Sequence, residues 1–314
     1  MTKKITFSIC ILFLLGSCSS SGLEITPVPN RENLIPLTQV KITLDTDIYP
    51  LKSLTDEYDD PVPLPYPVNT AGAEDSAFIM PDGKTLYVWF TPDVDQPIEL
   101  QVIDGVTGIY VYHLENGNWI GPERVLLQDP GKDALDGCEF VLNNTMWFCT
   151  AREDYTGLHW FTANYIDGEW TNWQIADFEE AYEVGELHIS ADGSELYFHS
   201  SRPGGAGGVD IWVSKLVNGV WGEPENIWIV NSPHTDGWPF LSQDGRELWF
   251  TRAIGAPELY RSIRVNGEWS EPIKMFSIFS GEASMDTDGN VYFTHHYFKD
   301  DHMLEADIYV ARRK

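Results

Sequence analysis

Residues 190–202 read SADGSELYFHSSR, and altered copies of this phrase recur along the chain. They are MPDGKTLYVWF from Met80, SQDGRELWFTR from Ser242 and DTDGNVYFTHH from Asp286, while VLNNTMWFCTAR from Val141 keeps the strand and loses the Asp-Gly. With Asn144 standing in for the missing Asp, the turns are spaced by 62, 48, 52 and 44 residues. Self-similarity at such a period marks a propeller or a solenoid.

Each copy leads from an Asp-Gly turn into an aromatic, β-branched strand, then a loop, then a second strand. The second strands are GIYVYHL from Gly108, LHWFTANY from Leu158, VDIWVSK from Val209 and PELYRSI from Pro257. Each runs into a Gly-x-Trp element, at Trp119, Trp170, Trp221 and Trp269. Four strands per repeat with no helical periodicity predicts an all-β fold, a five-bladed β-propeller of four-stranded blades. The fifth repeat ends on Asp307-Ile308-Tyr309-Val310 with no Gly-x-Trp after it, so its outer strand must come from elsewhere. Residues 66–70 (YPVNT) precede the first blade much as 228–232 (WIVNS) precede the fourth, which predicts an N-terminal strand that closes the last blade and covers its open edge.

The N-terminus carries Lys3 and Lys4, an apolar run over 5–15, and Leu15-Gly16-Ser17-Cys18. That is the layout of a signal peptide, with an apolar stretch too short to span a bilayer. It resembles a bacterial lipoprotein signal, which implies lipidation of Cys18; an ordinary secretory signal is the alternative. The expected organisation is a signal over 1–17, a lipidated tether and lead-in over 18–56 with Pro27, Pro29 and Pro36, and a propeller over 57–314. The address is then the bacterial cell envelope, with the membrane contacted through the lipid alone.

The chain carries 48 acidic against 20 basic residues, a net charge of −28. Such a surface repels phosphate backbones, which argues against nucleic acid as a partner. Cys138 and Cys149 are equidistant from Asn143-Asn144, so a hairpin turn there sets the two sulfurs face to face. An oxidising envelope favours a disulfide, with a buried reduced pair as the alternative.

The string SADGSELYFHSSRPGGAGGVDIW, residues 190–212, resembles the β-propeller repeat of the TolB-like family. The resemblance implies a propeller in an envelope setting. Members include protein-docking scaffolds, domains attached to peptidases and polysaccharide lyases, so function does not follow from it.

Chemistry in a propeller gathers on the face where the inner strands begin. Counted back from the turn, Glu74, Asp136 and Asp236 stand eight positions earlier, and Glu186 and Glu282 six earlier, with Asp75 and Glu139 beside them. Arg152, Arg202 and Arg252 follow the second strands, where the fifth repeat has His295 and His296. Either these groups form a ligand-binding ring, or each arginine bridges a neighbouring blade's carboxylate and staples the architecture. Breaks in the pattern are therefore more informative. His188 fills a slot held by Phe78, Phe140 and Phe240, with Ser284 in the fifth repeat; His199, His234 and His296 also depart from it, and Trp238 offers a platform for a sugar ring. Histidines near carboxylates can hold a divalent metal or act as general acid and base, although each also serves as a packed structural residue, and no cofactor is identified. Residues 286–290 mimic the start of a calcium loop but lack its distal Glu.

Two functions fit these residues. One is a lipid-anchored module that binds an envelope protein or glycan through its acidic face. The other is a carbohydrate-active enzyme, hydrolase or lyase, with Glu186, His188 and Glu282 as its catalytic groups. No Gly-x-Ser-x-Gly elbow, His-Glu-x-x-His helix or Cys nucleophile is present, which favours binding.

Overall fold

The computed structural model describes residues 30–176, 178 and 184–314; the signal segment and Cys18 lie outside them. The chain forms antiparallel meanders in sequence order, and their turns explain the repeated phrase. In the third repeat Ser190 and Asp192 accept hydrogen bonds from the backbone N–H of Ser194, and Gly193 takes φ +75°. Gly83, Gly245 and Gly289 hold the same left-handed conformation at 66°, 70° and 83°, which glycine adopts without steric cost. The Gly-x-Trp elements begin in a second kind of turn. Asn116-Gly117, Asp167-Gly168, Asn218-Gly219 and Asn266-Gly267 all have positive φ at both residues, the pairing that joins two twisted strands most tightly.

Inner strands run over Ala73–Ile79, Ala134–Leu142, Leu187–Ile189, Thr235–Leu241 and Ser280–Met285, each paired with the aromatic strand that follows it. Val62–Pro63 pairs antiparallel with the C-terminal strand, Val62 opposite Val310 and Pro63 opposite Tyr309. Residues 66–70 are therefore not the pairing segment; they follow it as a turn. There the side chain of Asn69 completes the edge, accepting from Ile308 N–H and donating to Ile308 O, each at 2.9 Å. Asn231 does the same for Ile211 at 2.8 Å. The likeness of 66–70 to 228–232 thus reflects this amide device. A single parallel pair, Ala73 with Ala306, links the first meander to the last.

Side chains of the inner strands meet around the axis. Phe78 packs edge-on against Phe140 at 5.5 Å, and His188 lies between Phe140 and Phe240, at 4.4 and 4.6 Å. The aromatic strands bury both faces, as in Leu196, Tyr197 and Phe198, each at most 2% exposed. Burying such side chains contributes roughly 1.5–3 kcal/mol each.

Buried arginine–carboxylate clamps hold the strand starts. Arg252 donates to Asp236 at 2.6 Å and to Val230 O at 2.7 Å, and lies over Tyr260. Arg152 donates to Asp136 at 2.9 Å and to Leu127 O at 3.2 Å, over Phe161. Both partners of each clamp belong to one meander, which corrects the expectation that arginines bridge neighbouring blades. The first repeat has no arginine on its aromatic strand. Arg31, from the lead-in, takes the place: it contacts Glu74 at 3.2 Å, donates to Val68 O at 3.1 Å and stacks on Phe90. The lead-in is fastened again at Lys41, which forms ion pairs with Glu305 and Asp307, and at Asp47, 3.1 Å from His295. It is thus part of the packed body and not a bare tether. Arg202 stacks over Phe198 and Trp212, and Asp210 ties down the 204–208 glycine run through the N–H groups of Ala206 and Gly207.

Arg31→Ala would leave Glu74, itself fully buried, without its cation. Removing one partner of a buried pair costs about 3–5 kcal/mol, so urea unfolding should show a loss of that size, matching Arg252→Ala. A loss confined to a few tenths would show that the lead-in does not support the fold.

Candidate functional site

Each inner strand carries one extra residue at the same place. Register shifts fall between Asp75 and Phe78, Gly137 and Phe140, Gly237 and Phe240, and Gly281 and Ser284. In the third meander Gly185 N–H donates to His199 O while His188 pairs with Tyr197, the same offset. The inserted residues are Ser76, Cys138, Glu186, Trp238 and Glu282, and all but Glu186 have φ between 51° and 55°. A non-glycine residue in that region costs of order 1–3 kcal/mol and persists only where the surroundings hold it. Such bulges re-aim side chains, here toward the axis.

Neighbouring meanders hold the bulges. The N–H of Trp238 donates to His199 Nδ1 at 3.1 Å, and that of Glu282 to Thr251 Oγ1 at 3.0 Å. His199 and Thr251 occupy equivalent positions on successive aromatic strands. Burial holds the His199 imidazole down at about 4, so it is the neutral acceptor this contact requires. A Cβ at Gly185 would stand 1.9 Å from His199 Nε2, which accounts for the glycine. Cys138, itself a bulge residue, is bonded to Cys149 on the adjoining strand across the Asn143-Asn144 turn.

The carboxylates of the strand starts now separate into two sets. Glu74, Asp136 and Asp236 stand four residues before the phenylalanine slot, are fully buried and sit in the arginine clamps. Glu186 and Glu282 stand two before it, on the bulges, and with Glu139 they line a narrow axial cavity of about 50 Å³ together with Trp238, His188 and Ser76. None of these three acids pairs with an arginine or lysine among the described residues. Asp75 and His296 adjoin them: His296 Nε2 is 3.6 Å from Asp75 Oδ2, and Ser76 Oγ donates to Glu282 Oε2. Both carboxylate oxygens of Glu139 are buried with no hydrogen-bond partner on another residue.

Crowded negative groups away from water resist ionising. Burial first, then Glu282 and Asp75, push Glu139 up to about 8. Burial, then Asp75 and Glu139, push Glu186 to the same level, while the Trp238 indole hydrogen bond opposes the rise. Glu282 is raised well above the ordinary range by burial and by Asp75 and Glu186. Asp75 moves the other way, since burial would raise it but the His296 imidazole outweighs burial and holds it low. Burial works against charging His296, and Asp75 overcomes it. His188, wedged between two phenylalanines, is pushed down to about 3 by burial alone. At pH 7 it is a neutral ring packed between Phe140 and Phe240. His234 is exposed outside this cavity.

Arg31, Ser76 and Thr251 escape the sequence reading. The missing arginine on TLYVWFT was the signal for the first. The other two matter only through the bulge, which counting back from the Asp-Gly turn does not reveal.

No protein-family profile and no curated protein matches the sequence. Among solved structures, the endo-arabinase of Bacteroides thetaiotaomicron VPI-5482 is similar with a TM-score of 0.52 at 14% identity, over 79% of this chain and 96% of that one. TolB from Acinetobacter baumannii gives 0.42 at 13% identity over 78% of this chain, which spans 56% of the TolB chain. A putative TolB from Agrobacterium tumefaciens gives 0.43 at 15%, over 82% and 78% of the two chains. The likeness to the endo-arabinase is one of fold: the chain is a β-propeller.

An acid that keeps its proton to higher pH when folded than when unfolded makes the folded state lose stability as pH rises between the two values. For Glu139 that window runs from the ordinary glutamate value of 4.5 to about 8. In metal-free buffer the melting temperature should therefore fall across it, and Glu139→Gln should flatten the fall. Parallel curves for wild type and variant would mean that Glu139 ionises as it does in water.

Proposed function

We propose that the protein is a lipid-anchored cell-envelope propeller of five blades, the last closed by the Val62–Pro63 strand, that binds a protein or glycan through the face where its inner strands begin. The observation that carries this reading is the size and charge of the axial cavity. Its volume of about 50 Å³ suits a water or an ion. Sites that enclose small molecules run to roughly 300–1,000 Å³, so a sugar ring does not enter, and a partner docks across the mouth. There Glu186 and Trp238 supply a carboxylate and an aromatic plane.

One observation favours the carbohydrate-active alternative. Asp75 is held low while Glu186 is raised, and opposed shifts of neighbouring carboxyls are how an acid and a base are set apart at neutral pH.

Probing a glycan array and envelope proteins with the full chain separates the two readings. Glu186→Gln should weaken capture roughly tenfold or more, while Glu225→Gln on an outer strand leaves it unchanged. Release of new reducing ends from a captured glycan, abolished by Glu186→Gln, would replace the binding reading with the enzymatic one.

A further inference from the structure

We infer that the axial cavity is a binding site for one divalent transition-metal ion, of the zinc or manganese class, held by Asp75, Glu282 and His296 with Glu139 completing the shell. The donor atoms of Asp75, Glu282 and His296 all lie within 4.8 Å of one another. Ligands about 2.1 Å from a tetrahedral ion are about 3.4 Å from one another, so the side chains need to close by up to about 1.4 Å on binding.

Acidic clusters are common without a metal, and Glu139 sets this one apart. It is 5% exposed, lines the cavity, and neither of its oxygens has a hydrogen-bond partner on another residue, only its own backbone N–H lying beside it. A buried carboxyl normally finds a donor, and a group left without one marks either strain or an unseen ligand. Arg124 is turned away from it, its guanidinium donating to the carbonyls of Thr107, Ile109 and Val125. Strained bulge backbone at Ser76 and Glu282 delivers the first and fifth meanders' groups to one point, and Ser76 Oγ orients the Glu282 carboxylate.

The donor set selects the metal. Carboxylate oxygens alone suit calcium or magnesium, whereas an imidazole nitrogen among them suits zinc or manganese. The site stands whether or not the face docks a partner, because Glu282 and Glu139 line the cavity and Asp75 and His296 adjoin it.

The test is equilibrium dialysis of the full-length, chelator-stripped chain against Zn²⁺, Mn²⁺ and Ca²⁺ with the bound metal quantified. One Zn²⁺ or Mn²⁺ per chain is expected. Glu282→Gln and His296→Gln should each weaken it about 10–100-fold, the scale seen when metal-site contacts are lost. Asp300→Asn, at an exposed hairpin tip, should leave it unchanged. Near-UV circular dichroism reports whether each variant is folded, and should one fail, the other and Glu139→Gln carry the same readout. No stoichiometric binding, preference for Ca²⁺, or binding that folded variants retain in full would overturn the inference.

Discussion

The buried clamp between an arginine and a carboxylate is what the ring rests on. At each clamp a guanidinium neutralises a buried acid, caps a backbone carbonyl, and lies over an aromatic ring of the strand behind it. The planar, permanently charged guanidinium can do all three at once, which an ammonium cannot. Because the first repeat lacks its own arginine, the same geometry is met by Arg31 from outside the repeat, and this recruits the lead-in into the fold. A surface rich in acids is thus reconciled with acids buried at the strand starts.

What remains after the clamps are counted is the chemistry. The acids of the axial cavity differ from the clamped ones by two residues in register and by one bulge, yet that moves them from salt-bridged framework to crowded, cation-poor surroundings. The strain of left-handed backbone at Ser76, Cys138, Trp238 and Glu282 is consistent with a ring that holds these side chains inward against local preference.

Much of the architecture was legible in the sequence because it depends on local chemistry. The Ser-x-Asp-Gly turn, the aromatic strand and the Asn-Gly or Asp-Gly hairpin are each short-range signals, and repetition made them additive. The facing of Cys138 and Cys149 followed from the turn between them. The site was harder to see. Counting from the turn already set Glu186 and Glu282 two positions apart from Glu74, Asp136 and Asp236, but not what that offset does, since a bulge shifts register without leaving a residue type behind. His188 and His199 stood out because they break a pattern, and each does so for packing: one fills a phenylalanine slot, the other supplies an acceptor to the next meander. Long-range fastening by Arg31 and Lys41 had no local signature except an absence.

The contacts of His199 with Trp238 and of Thr251 with Glu282 also limit what can be exchanged between such rings. The backbone of one blade is shaped by a side chain of the blade before it, so the unit of inheritance is the seam and not the blade. A blade grafted alone would bring its strands and turns but leave behind the acceptor that aims its inward residue. Blades that diverge in this ring must do so in adjacent pairs.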